Sequence, residues 1–123
     1  MTISEKAVNL HAQGNNCAQS VLRACSEYTG LDETVAFGIA NGFGGGVRSG
    51  EICGAISGGV MAIGLNMQSK GITNIAGTTK AYVEEFKNRY GCVRCIELKG
   101  KRISCDELIS TAAELAEKYC TGD

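Results

Sequence analysis

The sequence predicts an all-α fold: a compact, single-domain helical bundle of about five or six helices around a glycine-rich central helix. Three observations predict it. Apolar residues recur at spacings of three and four along most of the chain. Cap-forming residues and glycines punctuate those stretches at their two ends. No segment alternates with period two for long enough to make a strand. At 123 residues the chain has the length of one domain, residues 1–123, with a core of its own.

Taken in order, residues 3–14 form a first helix with Ile3, Ala7 and Leu10 on one face and Gly14 at its end. Asn16 is a natural N-cap for a second helix with an inward stripe of Ala18, Val21, Leu22 and Cys25, stopped by Gly30. Asp32 caps a third, shorter helix that turns Val35, Ala36, Ile39 and Ala40 inward. Residues 66–77 read as a connecting loop, and Thr78 or Thr79 opens a helix that buries Tyr82, Val83, Phe86 and Tyr90 before Gly91. Cys92 to Lys99 makes one or two turns, closed by Gly100. The last helix opens on a capping box, Ser104 with Glu107. It buries Cys105, Leu108, Ile109, Ala112, Leu115 or Ala116, and Tyr119.

Between these elements lies Phe43 to Leu65, FGGGVRSGEICGAISGGVMAIGL. Glycine in a helix interior costs about 1 kcal/mol relative to alanine. A helix that contains Gly54, Gly58 and Gly59 therefore makes sense only where close packing, or room beside Cys53, offsets that cost. We read it as the central buried helix, with Cys53 at its amino end behind a tightly bending glycine loop. The loop lacks the Gly-Lys-Ser/Thr ending of a phosphate cradle and the strand and downstream acid of a dinucleotide fingerprint.

Composition excludes several classes of function. The formal charge is −1, with mixed signs, so neither a nucleic-acid partner nor a polybasic membrane patch is expected. The longest uncharged run, Ile52 to Ser69, is broken by Ser57, Asn66, Gln68 and four glycines. It reads as a core helix and not as a membrane span of roughly 20 apolar residues. The amino terminus has no charged segment leading into an apolar run, so no secretory signal is expected. The expected location is cytoplasmic. In that reducing compartment the seven cysteines point to metal or redox chemistry ahead of structural disulfides.

The predicted helix boundaries order those cysteines. Cys17 follows the cap Asn16, Cys105 follows the cap Ser104, and Cys53 enters the central helix after Gly50 and Glu51. Free backbone N–H groups and the helix dipole favour negative charge there, which is expected to lower the thiol pKa toward thiolate, the nucleophile and metal ligand. Cys95 is a fourth member. Cys25 sits on an apolar stripe and reads as packing; Cys120, three residues from the end, reads as frayed and incidental. Cys92 and Cys95 form a Cys-x-x-Cys pair, but no strand precedes it as in a thioredoxin-like motif. A structural zinc site usually has a second pair or spaced histidines. His11, the one histidine, falls on the apolar face of the first helix and reads as structural.

Several of these residues together carry a likeness. They are Asn16-Cys17-Ala18-Gln19-Ser20-Val21-Leu22, the triple-glycine loop, Gly50-Glu51-x-Cys53-Gly54-Ala55-x-x-Gly58, Phe86, Gly91, Cys95-x-x-Leu98 and Cys105. In order and spacing the chain resembles the redox-active protein family named for its C…CGAxxG…C…C cysteine pattern. The resemblance implies a small helical protein whose four signature cysteines fall on Cys17, Cys53, Cys95 and Cys105. It implies redox chemistry without an agreed reaction, and because related modules occur beside electron-carrying domains, it brings in an iron–sulfur centre. Cys25, Cys92 and Cys120 are extra to the pattern, and Asn15 stands where an aromatic residue is common.

The expected function is therefore redox activity through Cys17, Cys53, Cys95 and Cys105. These four are the candidate catalytic, cofactor-binding and metal-ligating residues, either as ligands of an iron–sulfur cluster for electron transfer or as a thiol/disulfide pair with a redox partner. The alternatives are a zinc-binding or structural helical module without turnover, and an interaction domain whose cysteines are only core residues. Close helix contact through the small residues of the central helix makes a homodimer a further expectation.

Overall fold

The computed structural model describes residues 1–122. Among them are eight α-helices: α1 (Ile3–Ala12), α2 (Cys17–Ala24), α3 (Ser26–Thr29), α4 (Glu33–Ala40), α5 (Gly54–Ser69), α6 (Ala76–Tyr90), α7 (Cys95–Gly100) and α8 (Cys105–Thr121). The only β-type pairing among the described residues is a single antiparallel bridge between Ile52 and Arg94. The all-helical reading holds, with more helices than the five or six expected. One reason is that the predicted second helix breaks at Cys25, leaving α3 as a separate turn that ends on Gly30 in the left-handed conformation. No helix among the described residues is long and apolar enough to cross a membrane.

Local chemistry explains most boundaries. The Asn16 side chain accepts from the Gln19 N–H while the Gln19 side chain accepts from the Asn16 N–H, closing a capping box over α2. Asp32 accepts from the N–H groups of Thr34 and Val35 and starts α4. Gly91 ends α6 in the left-handed conformation. Ser104 accepts from the Glu107 N–H at the start of α8.

Four expectations are corrected. Val35 and Ile39 are exposed on α4, which turns only Ala36 and Ala40 inward; two small residues let α4 lie close on α2. The predicted loop 66–77 is shorter, because α5 runs on to Ser69 with Asn66 and Met67 buried, and α6 begins at Ala76. Asn66 is tolerated inside because its amide donates to the Tyr28 carbonyl at 2.9 Å. On α6, Tyr82, Phe86 and Tyr90 are buried but Val83 is only half-buried. Cys120 is not frayed: it is buried on α8, with its sulfur 4.0 Å from the Ala62 carbonyl oxygen.

Helix α5 packs against α2, α3, α6 and α8, and its glycines let them approach. A Cβ on Gly58 would lie 2.6 Å from the Ala18 carbonyl oxygen of α2. The core is built from Val21 and Leu22 of α2, Ile56 and Ile63 of α5, Tyr82 and Phe86 of α6, Leu98 of α7 and Ile109 of α8, all buried. Helix α1 packs on both α2 and α8. The segment ahead of α5 is the irregular part. Gly45, Gly46, Val47 and Arg48 follow one another with positive φ, a left-handed turn that costs roughly 1–2 kcal/mol at each non-glycine position. The Arg48 guanidinium donates to the Asn41 carbonyl at 2.8 Å and ties the turn down.

Candidate functional site

The amino ends of four segments meet where the glycine turn folds back. Cys17 is the first residue of α2, Cys95 of α7 and Cys105 of α8, while Cys53 is the N-cap of α5. All four line one cavity of about 160 Å³, together with His11, Asn16, Gly45, Lys99, Ile103 and Leu108. Cys25, Cys92 and Cys120 do not line it; of the Cys-x-x-Cys pair, only Cys95 does.

Each thiol is positioned by something specific. The bridge between Ile52 and Arg94 sets two of them: the Cys53 N–H donates to the Val93 carbonyl at 2.8 Å, and the Cys95 N–H donates to the Glu51 carbonyl at 2.6 Å. The Arg94 guanidinium, 3.1 Å from the Glu51 carboxylate, spans the same clip on its solvent side. Glycine makes the close approaches possible. A Cβ on Gly54 would fall 2.5 Å from the Cys17 sulfur and 2.7 Å from the Phe43 carbonyl oxygen. A Cβ on Gly46 would fall 2.5 Å from the Glu51 backbone and 2.9 Å from Cys95 Cβ. The absent side chains are thus what lets Cys17 sit over the first turn of α5 and Cys95 against the glycine turn.

The electrostatics correct the expectation of a lowered thiol pKa at Cys53 and Cys105. The backbone N–H groups of Ala55 and Ile56, at the first turn of α5, favour the Cys53 thiolate without capping it. Burial outweighs them and, with the neighbouring thiols Cys17 and Cys95, pushes Cys53 up to about 12. Burial also raises Cys105, although it lies near the surface; the Cys17 and Cys95 thiols add to the shift, and Lys99 opposes it. The helix amino ends supply donors at Cys53, but in a low-dielectric pocket desolvation wins. Cys105 is exposed, where the stripe of α8 placed it inward.

One cavity residue was read as structural and takes on a second aspect. His11, in the last turn of α1, is half-exposed, and its Nδ1 lies 2.7 Å from an Asp106 carboxylate oxygen. Helix α1 lies along α8, so the ring is held against the residue that follows Cys105. Nothing in chain spacing gives this pairing, because His11 and Asp106 are 95 positions apart. Lys99 was also missed. It brings a cation to the same wall as Cys95, one turn further along α7. Among the described residues, no group of three or more His, Cys, Asp or Glu side chains is placed to hold a single metal ion.

The fold and site define a small helical protein organised round a cavity of cysteines drawn from four separate stretches. The chain belongs to the family described as "Putative redox-active protein (C_GCAxxG_C_C)", whose model matches residues 15–119. Here the middle of that signature reads Cys53-Gly54-Ala55-Ile56-Ser57-Gly58, with the cysteine ahead of the glycine. No curated protein and no solved structure matches the chain.

Proposed function

We propose that this redox-active protein is an electron carrier in which Cys17, Cys53, Cys95 and Cys105 hold an iron–sulfur cluster. The observation that carries the reading is the shared cavity: four thiols from distant parts of the chain line about 160 Å³ of space. The donor set fits the group, since cysteine thiolates are its usual ligands. A cluster spreads its ligands over several irons, which suits four thiols that reach one cavity from separate segments. When bound, such a group supplies one-electron transfer at a potential set by charge, hydrogen bonds and exposure.

The protein's own part is to present and shield. The backbone clip at Glu51–Cys53 and Val93–Cys95 holds two sulfurs, and Gly54 admits the third. Burial keeps Cys53 protonated as a free thiol, which makes it a poor nucleophile at neutral pH. As a ligand, Cys53 would be held as thiolate, its charge balanced by the iron it binds. The apolar side chains of Ile103 and Leu108 limit water at the cavity wall.

One observation favours a second reading. Cys17 is half-exposed and sits against Gly54, next in the chain to the buried Cys53. That is how an attacking thiol and its buried resolving partner are disposed in a dithiol that exchanges with a partner disulfide. Anaerobic reconstitution with ferrous iron and sulfide separates the two. The cluster reading expects visible charge-transfer absorbance that is lost in Cys17→Ser and Cys53→Ser and kept in Cys25→Ser. Protein that stays colourless, and in which Cys17 and Cys53 become protected from alkylation on mild oxidation, would replace it with the dithiol.

A further inference from the structure

The cavity offers five donors where a cluster takes four. Three are fixed: Cys53 and Cys95 by the backbone clip, and Cys17 by the gap at Gly54. The other two, Cys105 on α8 and His11 on α1, line the same cavity. Cys105 is exposed on the first turn of α8. Asp106, the next residue, holds His11 at 2.7 Å. A carboxylate only accepts hydrogen bonds, so Nδ1 carries the proton, and in the neutral ring Nε2 keeps its lone pair. The contact to Asp106 is the only side-chain hydrogen bond of His11 among the described residues. A carboxylate on one nitrogen of an imidazole is the arrangement that orients a metal-ligating histidine and raises its basicity.

From this placement we infer that His11, keyed by Asp106, is a substitute ligand for Cys105: the fourth place on the cluster can be taken by the imidazole instead of the exposed thiolate. The inference rests on the cluster reading and goes beyond the four-cysteine set. It gives the site two ligation states of different charge. Replacing a thiolate by a neutral imidazole removes one negative charge from the cluster's surroundings and moves its reduction potential upward, the direction seen where histidine replaces cysteine on an iron. The exposure of Cys105 makes it the thiol that oxidation or alkylation reaches first. The exchange would then let the cluster survive loss of that ligand.

The test uses the full chain, reconstituted anaerobically with iron and sulfide, as wild type, Cys105→Ser, His11→Ala and the double variant. Both positions are at least partly exposed, so the fold is expected to persist, and far-UV circular dichroism checks it. Visible absorbance reports the cluster, pulsed EPR of the reduced protein reports a histidine nitrogen coupled to it, and a redox titration reports its potential. The inference expects Cys105→Ser to keep its cluster, gain a nitrogen coupling and titrate at higher potential than wild type, and the double variant to lose the cluster. Adding Asp106→Ala to Cys105→Ser should weaken cluster retention roughly tenfold or more. A Cys105→Ser protein without a cluster, beside a wild type that holds one, overturns the inference and leaves the cluster reading intact. So does a double variant that keeps as much cluster as Cys105→Ser. A wild type that takes up no cluster sinks both.

Discussion

Adding one methyl group at Gly54 should damage the site more than its size implies. The backbone there does not need glycine, since Gly54 is not among the positions with positive φ. The objection is contact alone. The new Cβ would sit 2.5 Å from the Cys17 sulfur, 2.7 Å from the Phe43 carbonyl oxygen and 3.3 Å from the Ala18 nitrogen. The sulfur can rotate away, but the two backbone atoms cannot, so the Phe43 turn must back off the amino end of α5 and α2 must give slightly. Overpacking of this kind costs about 1–3 kcal/mol, against at most about 1 kcal/mol gained from alanine in the helix. A net loss of about 1–2 kcal/mol corresponds to a fall in Tm of roughly 3–10 °C for a domain of this size. Gly64→Ala is the control on the same helix, because its Cβ would meet only Ile75 Cδ1, at 3.9 Å; it should gain about 0.5–1 kcal/mol. Thermal melts and cluster occupancy after reconstitution are measured together. Gly54→Ala is expected to fall in both, and Gly64→Ala in neither. A Gly54→Ala protein as stable and as well loaded as wild type would refute the argument that this glycine is what lets the Phe43 and Ala18 backbone, with Cys17, close on α5.

Other outcomes follow from burial and charge. Cys25→Ser should cost about 1–3 kcal/mol in denaturant melts, because it leaves a hydroxyl in a fully buried apolar site, whereas Cys105→Ser should stay within about 0.5 kcal/mol. Arg94→Ala removes an exposed ion pair to Glu51, worth about 0.2–1 kcal/mol, and cluster occupancy should persist because the clip is made of backbone. Metal-free protein should lose stability in alkali. Cys25 and Cys53 are pushed by burial from the ordinary thiol value near 9 to about 12, and Cys120 to about 11. The folded state therefore keeps protons that the unfolded chain releases. That contribution is intact below pH 9 and is lost as pH rises toward 12. Cys25→Ala should flatten the fall in Tm over that window, and an unchanged slope would contradict the assignment.

What the sequence made legible was local. Asn16, Asp32 and Ser104 act on N–H groups two or three residues away, and Gly30 and Gly91 supply left-handed turns, so these boundaries follow from residue type alone. What it hid depends on partners far along the chain. Asn66 reads as loop until its amide N–H is seen to donate to the Tyr28 carbonyl from inside α5. Val35 and Ile39 fit an inward stripe on α4, yet contact with α2 is made through Ala36 and Ala40 and leaves the larger residues outside. Cys120 looked frayed from its distance to the chain end, but α8 runs to Thr121, and Lys70 donates to the Cys120 carbonyl. The thiol electrostatics were misjudged for a related reason. A helix amino end is visible in sequence, whereas the depth of burial that overrides it is not. The lining of the cavity was half visible: spacing and caps singled out Cys17, Cys53, Cys95 and Cys105, while His11 and Lys99 joined it only through the folded chain.

Iron and acid-labile sulfide, measured on protein isolated without exposure to air, test the central claim most directly. The four-thiol cavity predicts iron and sulfide in equal amounts, at one two- or four-iron cluster per chain, with a visible absorbance that bleaches on reduction. Iron-free protein carrying one zinc per chain, or a disulfide between Cys17 and Cys53, would contradict it.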